Sequence, residues 1–321
     1  MDSPFQYYED FKIRILGSCN GLICLGINTP SGDFYHRRSD SICVWNPATR
    51  EYKDIPLPSA PSSTTGRDYN RDYNLNSYEE YNIIYGFGYD CNIDNYKLVK
   101  FTHYKTSGHI QGEVYTLGSD KWKTIHVDNR YSFPDTSSGL LLNGALHWLC
   151  GTTTQNKSTI LSFNISNEGL ISFPIPAENM QCANLGVLGE CLCLLPNEWV
   201  SNDVWVMLNY GARESWTKQF TLKELCCSTG YFNRFSCDLE VLRSLYKGET
   251  ILRTWKGFIV HDPNNGSKLE PEVSFQGDIL KGGCVYAESL VSLNSVIYVG
   301  RGKHMAAKRI ATRTYLQALI N

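Results

Sequence analysis

The sequence predicts an all-β chain: a β-propeller of about six four-stranded sheets, closed by N- and C-terminal strands. Two observations carry this prediction. A hairpin unit recurs along the chain, and the composition suits two-sided pleated sheets. Of the 321 residues, 12% are aromatic and 42% hydrophobic, and aromatic and β-branched side chains favour such surfaces.

The unit is an apolar strand, a polar turn, and an aromatic or apolar residue that opens a second strand. Its copies are Ser41–Pro56, Glu113–Val127, Thr159–Pro176, Asp203–Leu222 and Gly257–Ser274. In the first three, seven positions separate the residues flanking the turn: Trp45 and Tyr52, Tyr115 and Trp122, Phe163 and Leu170. In the last two the flanking pairs are Met207 with Trp216 and Val260 with Leu269, two residues further apart. Each turn is rich in Asn, Asp, Gly, Ser or Pro, which accept tight-turn dihedrals.

A short strand opened by a Gly-containing turn precedes several hairpins: CNGLICLG, LNGALHWLCG and LGECLCLLP. Asn-Gly before an apolar run is a strong turn signal. In the second unit, Tyr85–Tyr104 fills this slot and itself reads as a hairpin. Units begin near residues 18, 83, 138, 184 and 248, a spacing of roughly 45 residues once the insert-bearing first unit is set aside, the period of a propeller blade. Gly283–Gly300, together with the N-terminal strand Phe11–Gly17, is expected to complete the last sheet. The repeat counts to six sheets, with five or seven also compatible. Stacked β-sandwiches are the rival architecture and explain the period less well.

The propeller is thus expected over 11–300, between a short tail at 1–10 and a basic, Ala-rich tail at 301–321 able to form a helix. Two polar inserts stand out: Asn28–Asp40, between the first two strands of the first unit, and Ser59–Asn82, between the first and second units, the latter with a tandem RDYN. Tyr-rich loops on a rigid scaffold suit recognition. His36, Arg37, Arg38, Arg67, Tyr69, Arg71, Tyr73 and Tyr78 are therefore the candidate partner-binding residues. The competing reading is a tolerated surface insertion.

Several function classes are disfavoured. A net charge of −2 does not suit nucleic-acid binding, which needs a concentrated basic face. The best apolar stretch, Leu185–Leu195, is too short to span a membrane. The start, MDSPFQYYED, has no apolar h-region, so cytoplasm or nucleus is the expected location. The twelve cysteines sit mostly inside apolar runs and read as buried, reduced side chains. No nucleophile elbow, phosphate loop or zinc-type cysteine pairing occurs, so neither catalytic residues, metal ligands nor a cofactor is expected, and the chain is read as no enzyme. Gly86 and Gly88 mark a close approach or bulge in a strand. His147, in LHWLC, is expected to be a hydrogen-bonded core histidine.

The ordered motifs SCNGLICL, VWNPATREYKDIPLP, YGFGYD, YKLVK, GEVYTLGSDKWKTI, LNGALHWL, ILSFNISNE, VWVMLNYGARESWTKQFTL and YAESLVSL resemble the F-box-associated domain of plant F-box proteins. The S-locus-type group is particularly similar. The match spans Phe11–Leu293. In that family an N-terminal F-box docks on a Skp-type adaptor in a cullin-based ubiquitin ligase, and the associated domain binds the protein to be ubiquitinated. The resemblance implies a substrate receptor with a target protein as partner, and a Skp-type adaptor and cullin where an F-box lies upstream. MDSPFQYYED has no room for three helices, so the expectation is the receptor part without the docking part. The alternatives are a carbohydrate-binding or carbohydrate-processing propeller and a truncated fragment without function.

Overall fold

The computed structural model describes residues 12–28, 41–58, 81–119, 121–133, 138–153, 157–177, 182–196, 203–222, 240–244, 249–254, 257–262, 266–270 and 289–293. These form five antiparallel sheets in chain order. Sheet 1 holds β1 (Lys12–Cys19), β2 (Leu22–Asn28), β3 (Ser41–Asn46) and β4 (Glu51–Ile55). Sheet 2 holds β5 (Tyr81–Asp90), β6 (Asn95–Tyr104), β7 (Ile110–Thr116) and β8 (Trp122–Ile125). Sheet 3 holds β9 (Tyr131–Ser132), β10 (Leu140–Leu142), β11 (Ala145–Thr152), β12 (Ser158–Asn164) and β13 (Leu170–Pro174). Sheet 4 holds β14 (Cys182–Leu188), β15 (Cys191–Pro196), β16 (Asp203–Met207) and β17 (Trp216–Thr221). Sheet 5 holds β18 (Glu240–Ser244), β19 (Thr250–Thr254), β20 (Gly257–Asp262) and β21 (Gly266–Glu270). The first strands adjoin in succession: β1 on β5, β5 on β10, β10 on β14, β14 on β18.

The recurrent unit is the outer hairpin of each sheet. Trp45–Tyr52, Tyr115–Trp122, Phe163–Leu170 and Met207–Trp216 are direct cross-strand partners. In sheet 5 the register differs by one: Ile259 faces Leu269 and Val260 faces Lys268. Asp262 pairs with Gly266, leaving three residues in that turn, whereas Asn46 pairs with Glu51 across four. One residue fewer in a turn shifts the pairing parity. The inner hairpins turn where expected. Asn20 and Gly21 have φ of 50° and 79°, and Asn143 and Gly144 have 51° and 70°, left-handed values that Asn and Gly accept.

The N-terminal strand departs from expectation. β1 pairs along β2 as the first strand of sheet 1, because the two-residue Asn20–Gly21 turn returns the chain directly onto it. Of the segment expected to complete a sixth sheet, Ser289–Leu293 is described, and it docks on sheet 1. Asn46 donates to the carbonyls of Ser289 (3.0 Å) and Val291 (2.7 Å). Glu51 accepts from the Leu293 N–H at 2.7 Å and the Ser292 hydroxyl at 3.1 Å. The 301–321 tail lies outside the described residues.

Burial of both faces explains the nearly continuous apolar runs. In sheet 4, Leu192 and Leu194 pack toward sheet 3, while Cys193 and Leu195 pack toward sheet 5. In sheet 2, Tyr85 and Phe87 face sheet 1, and Ile84, Val99 and Phe101 face sheet 3. The far face of sheet 1 carries another buried cluster, including Ile23, Leu25, Cys43 and Trp45. The alternation is the two-residue period of a strand applied to a sheet with no wet face. Burial pushes the thiols of Cys19, Cys43, Cys150 and Cys193 up to about 12, so they stay protonated at neutral pH. Cys91 is exposed.

Sheets 2 and 3 approach closely. A Cβ on Gly86 would lie 2.7 Å from Trp148 Cζ2 and 2.9 Å from Leu146 Cδ1. The Tyr85 carbonyl accepts from the Gly139 N–H at 2.6 Å and Trp148 Nε1 at 3.2 Å. Lys97 Nζ joins the same pair of sheets, donating to Ile165 O (2.8 Å) and Glu168 Oε1 (3.0 Å) and forming an ion pair with Asp90 Oδ2 at 2.9 Å. Ser166 also donates to Asp90, at 2.7 Å. Burial opposes the charged forms, but the Ser166 and Lys97 hydrogen bonds hold Asp90 below the usual carboxylate range, and Lys123 and Lys97 do the same for Glu168. The same bonds outweigh burial at Lys97 and raise its ammonium.

Two outcomes are expected. Gly86→Ala overpacks the Trp148 contact and costs about 1–3 kcal/mol in urea unfolding; an unchanged midpoint refutes the close packing. Lys97→Met leaves the buried Asp90 without its cation, while Glu168 keeps Lys123, and costs about 3–5 kcal/mol at pH 7. The wild-type carboxylates contribute fully above their unfolded-state pKa near 4 and lose that contribution as pH falls through their lower folded values. The deficit of the variant therefore narrows below about pH 4, and a constant deficit counts against the ion cluster.

Candidate functional site

Strand alternation gives each sheet two ends. The β1–β2, β3–β4, β5–β6, β7–β8, β10–β11 and β12–β13 turns lie at one. The β2–β3, β4–β5, β6–β7 and β11–β12 connections and the segment after β8 lie at the other. β1 and β5 run side by side in the same direction, with Gly17 against Phe87 and Arg14 over Tyr85 at 5.7 Å, so sheets 1 and 2 share these ends. His36, Arg37, Arg38, Arg67, Tyr69, Arg71, Tyr73 and Tyr78 all lie outside the described residues. Their segments join the described strands at the second, connection-bearing end. The 59–82 insert is shorter than expected by two residues, because Tyr81 and Asn82 already belong to β5.

That end carries a continuous ridge across sheets 2 and 3. The β6–β7 turn, Lys105–His109, is closed by Gly108 N–H on Tyr104 O (2.8 Å) and Tyr104 N–H on His109 O (2.9 Å). The His109 ring stacks on buried Tyr104, centroids 5.9 Å apart, and Tyr104 in turn meets Tyr81 at 6.0 Å. The segment leaving β8 lies alongside, because Asn129 Oδ1 accepts the Ile110 N–H at 2.9 Å. Thr153, at the β11–β12 connection, donates its N–H (2.8 Å) and hydroxyl (3.2 Å) to Arg130 O. Thr152 N–H reaches Lys157 O at 2.8 Å.

Lys105, His109, His126, Asp128, Asn129 and Arg130 are exposed on this ridge, and Lys157 is half-buried. Arg130 Nε donates to Asp128 Oδ2 at 2.7 Å, and its guanidinium lies 5.8 Å from the Tyr131 ring centre. Hydrogen bonds from the Arg130 side chain and N–H hold the Asp128 carboxyl below its ordinary range. Underneath, Phe133 stacks on Phe101 at 5.6 Å and Asn82 Nδ2 donates to Phe133 O at 3.3 Å. The ridge is thus polar outside and aromatic beneath. KTSGH and HVDNR are not among the candidate segments the sequence singles out. The parity of the strand order was the signal that would have placed them beside the inserts.

A second arrangement has the geometry of a nucleophile and base. His147 Nδ1 lies 3.1 Å from Leu140 O, and its Nε2 lies 3.2 Å from Ser162 Oγ and 2.6 Å from the Tyr210 hydroxyl. Donation from Nδ1 to the carbonyl leaves Nε2 as acceptor. His147 and Ser162 are each 1% exposed, and the Tyr210 ring closes over them from the β16–β17 turn, edge-on to His147 and Phe173. Burial pulls the imidazole down to about 4, against the hydrogen bonds of the Leu140 and Ala145 backbone. A sealed, weakly basic imidazole holds sheet 4 to sheet 3; it is the hydrogen-bonded core histidine expected. Among the described residues no three His, Cys, Asp or Glu side chains are grouped to hold a metal, and no helix is long and apolar enough to cross a membrane.

The folded value for His147 lies below the ordinary 6.5, so the unfolded chain takes up the proton first and stability falls as pH drops from about 6.5 toward 4. His147→Gln removes this dependence. Its deficit relative to wild type should shrink across that window by on the order of 3 kcal/mol, and parallel denaturation profiles would contradict the buried neutral imidazole.

A sequence profile described as the F-box associated beta propeller domain matches residues 2–293. The chain is 28% identical over 244 residues to the F-box protein CPR1 of Arabidopsis thaliana, covering 66% of this chain and 52% of that protein. It is 25% identical over 231 residues to an F-box/kelch-repeat protein of the same plant, covering 68% and 54%. The chain spans about half the length of the curated relatives it matches. Among solved structures it is similar to the β-propeller domain of the Trilobed protease from Pyrococcus furiosus, with 10% identity, 88% of each chain covered and a TM-score of 0.45. It is also similar to the Dos1 propeller, with 9% identity, coverage of 82% and 67%, and a TM-score of 0.41. From the profile match over nearly its whole length, the chain belongs to the F-box associated β-propeller domain family.

Proposed function

We propose that this chain is a protein-interaction module that captures a target protein at the connection-bearing end of its propeller. It serves as the substrate-recognition part of an SCF-type ubiquitin ligase and has no chemistry of its own. A Skp-type adaptor and cullin join through an F-box where one is linked to it. The observation that carries the reading is the ridge from Lys105 to Lys157. It is largely exposed, fixed by the Ile110 N–H bond to Asn129 Oδ1 and the Thr153 N–H bond to Arg130 O, and sits at the end where the Arg- and Tyr-bearing segments connect. Loops held by a rigid scaffold are the usual place for recognition, and a prefixed surface loses little entropy on binding. A carbohydrate-processing propeller needs a carboxylic acid whose pKa is raised. The described carboxyls with a resolved shift, Asp90, Asp128 and Glu168, are all lowered.

Pull-down from native cell extract with quantitative mass spectrometry tests the reading. Replacing Arg67–Asn74 by a Gly-Ser segment should reduce capture of the target about tenfold with an unchanged melting temperature. An Ile93→Ser variant at the opposite end should retain it. Equal capture by all three chains would sink the assignment of this face.

A further inference from the structure

The two ends of the propeller differ in apolar character. Among the described residues six large apolar side chains are exposed, between 43% and 90%: Tyr52, Ile93, Ile171, Leu208, Tyr210 and Leu290. All six lie at the end that carries the hairpin turns. Tyr52 and Ile171 are the second residues of β4 and β13, just past the β3–β4 and β12–β13 turns, and Ile93 is in the β5–β6 turn. Leu208 and Tyr210 are in the β16–β17 turn, and the Tyr210 hydroxyl, 2.6 Å from His147 Nε2, sets that turn at the same end of sheet 3. Leu290 belongs to the segment that Asn46, the last residue of β3, holds through Ser289 O and Val291 O. The Tyr210 ring is fixed edge-on to Phe173 at 5.0 Å.

We propose that this face pairs with the same face of a second copy of the chain, forming a twofold, back-to-back dimer. The first argument for that occupant is extent. Apolar residues scattered singly over a surface need no explanation, but six at one end do. Taking roughly 150–200 Å² for a large side chain, they leave on the order of 500–700 Å² of apolar surface on each copy. Two copies then bring together on the order of 1,000–1,400 Å², about the size at which stable interfaces begin. The second argument is distribution. The six are spread over sheets 1 to 4 and are not gathered in one groove of the kind that takes a peptide or a single helix. The third is charge. Exposed Arg213 and Glu214 are neighbours, Lys123 pairs with Glu168 at 2.6 Å, and the Tyr89 hydroxyl bonds Asp94. A face of both signs selects no partner of a single charge, whereas a copy related by a twofold axis meets it without opposing blocks of like charge. The pairing goes beyond the target-binding reading, because it leaves both connection-bearing ends facing outward and open.

Sedimentation equilibrium of the full chain from about 1 to 100 μM tests it, because interfaces of this size associate at micromolar concentrations or below. The expected result is a monomer–dimer equilibrium that stops at two copies. Its dissociation constant should change less than about threefold between about 50 and 500 mM salt, since salt screens exposed charges and leaves apolar contact in place. Leu208→Asp with Leu290→Asp should raise the dissociation constant at least about tenfold, with an unchanged melting temperature in dilute solution. His126→Ser, at the other end, should leave the dimer as it is. A monomer at every concentration, a dimer that survives the double substitution, a dimer lost on His126→Ser, or an assembly that grows past two copies overturns the proposal. The pull-down with the Arg67–Asn74 replacement reads the target-binding face separately, so either reading can fall without the other.

Discussion

One ammonium group sets sheets 2 and 3 against each other. Lys97 donates to two oxygens of sheet 3 and forms an ion pair with Asp90 of sheet 2. An unpaired charge in such a place is costly, so sliding of these sheets is opposed by electrostatics as well as by packing. The Gly86–Trp148 contact and the Tyr85 carbonyl lock the middle of the same interface, and the Asn82 Nδ2 to Phe133 O bond joins the two sheets at its far end. The ridge from Lys105 to Lys157 spans these two sheets and inherits its rigidity from that chain of contacts.

The repeat was legible because sheets buried on both faces leave two marks in a sequence: apolar runs, and a fixed distance between the residues that flank each turn. Four of the five expected pairs are direct partners. The fifth slipped by one because the register depends on the number of residues in the turn, which the apolar pattern does not encode. Assignment of β1 failed for a related reason, since an isolated strand such as FKIRILG carries no sign of which neighbour it pairs with. Lys97 was invisible because its partners come from residues about seventy positions away along the chain. The ridge was missed because KTSGH and HVDNR are each unremarkable, and only the folded strand order sets them side by side.

His147 shows how little local geometry says about chemistry. A serine hydroxyl, an imidazole and an orienting carbonyl stand at distances that would suit a nucleophile and its base. Access and basicity decide otherwise: the pair is sealed beneath Tyr210, and burial leaves the ring a poor proton acceptor. The same three groups serve instead to fix the β16–β17 turn on the neighbouring sheet. Trp216 does similar work, donating from Nε1 to Pro174 O at 3.0 Å, and Trp122 repeats the bond between sheets 2 and 1 with Pro56 O at 2.6 Å.

The tether from Asn46 to Ser289 and Val291 has a consequence in time. Its partners are 243 and 245 residues apart in sequence. At the pace of synthesis, about 5–20 residues per second, a nascent chain carries Asn46 and Glu51 for roughly 10–50 s before the acceptors and donors that satisfy them exist. Sheets 2 to 4 are built of pairings local to each sheet and can form in order as they emerge, while the first sheet to be made is the last to be completed. Such long-range closure is the slow step expected of a high-contact-order fold, and until it occurs the apolar cluster between sheets 1 and 2 lacks Val291 and Leu293, which pack into it in the folded chain.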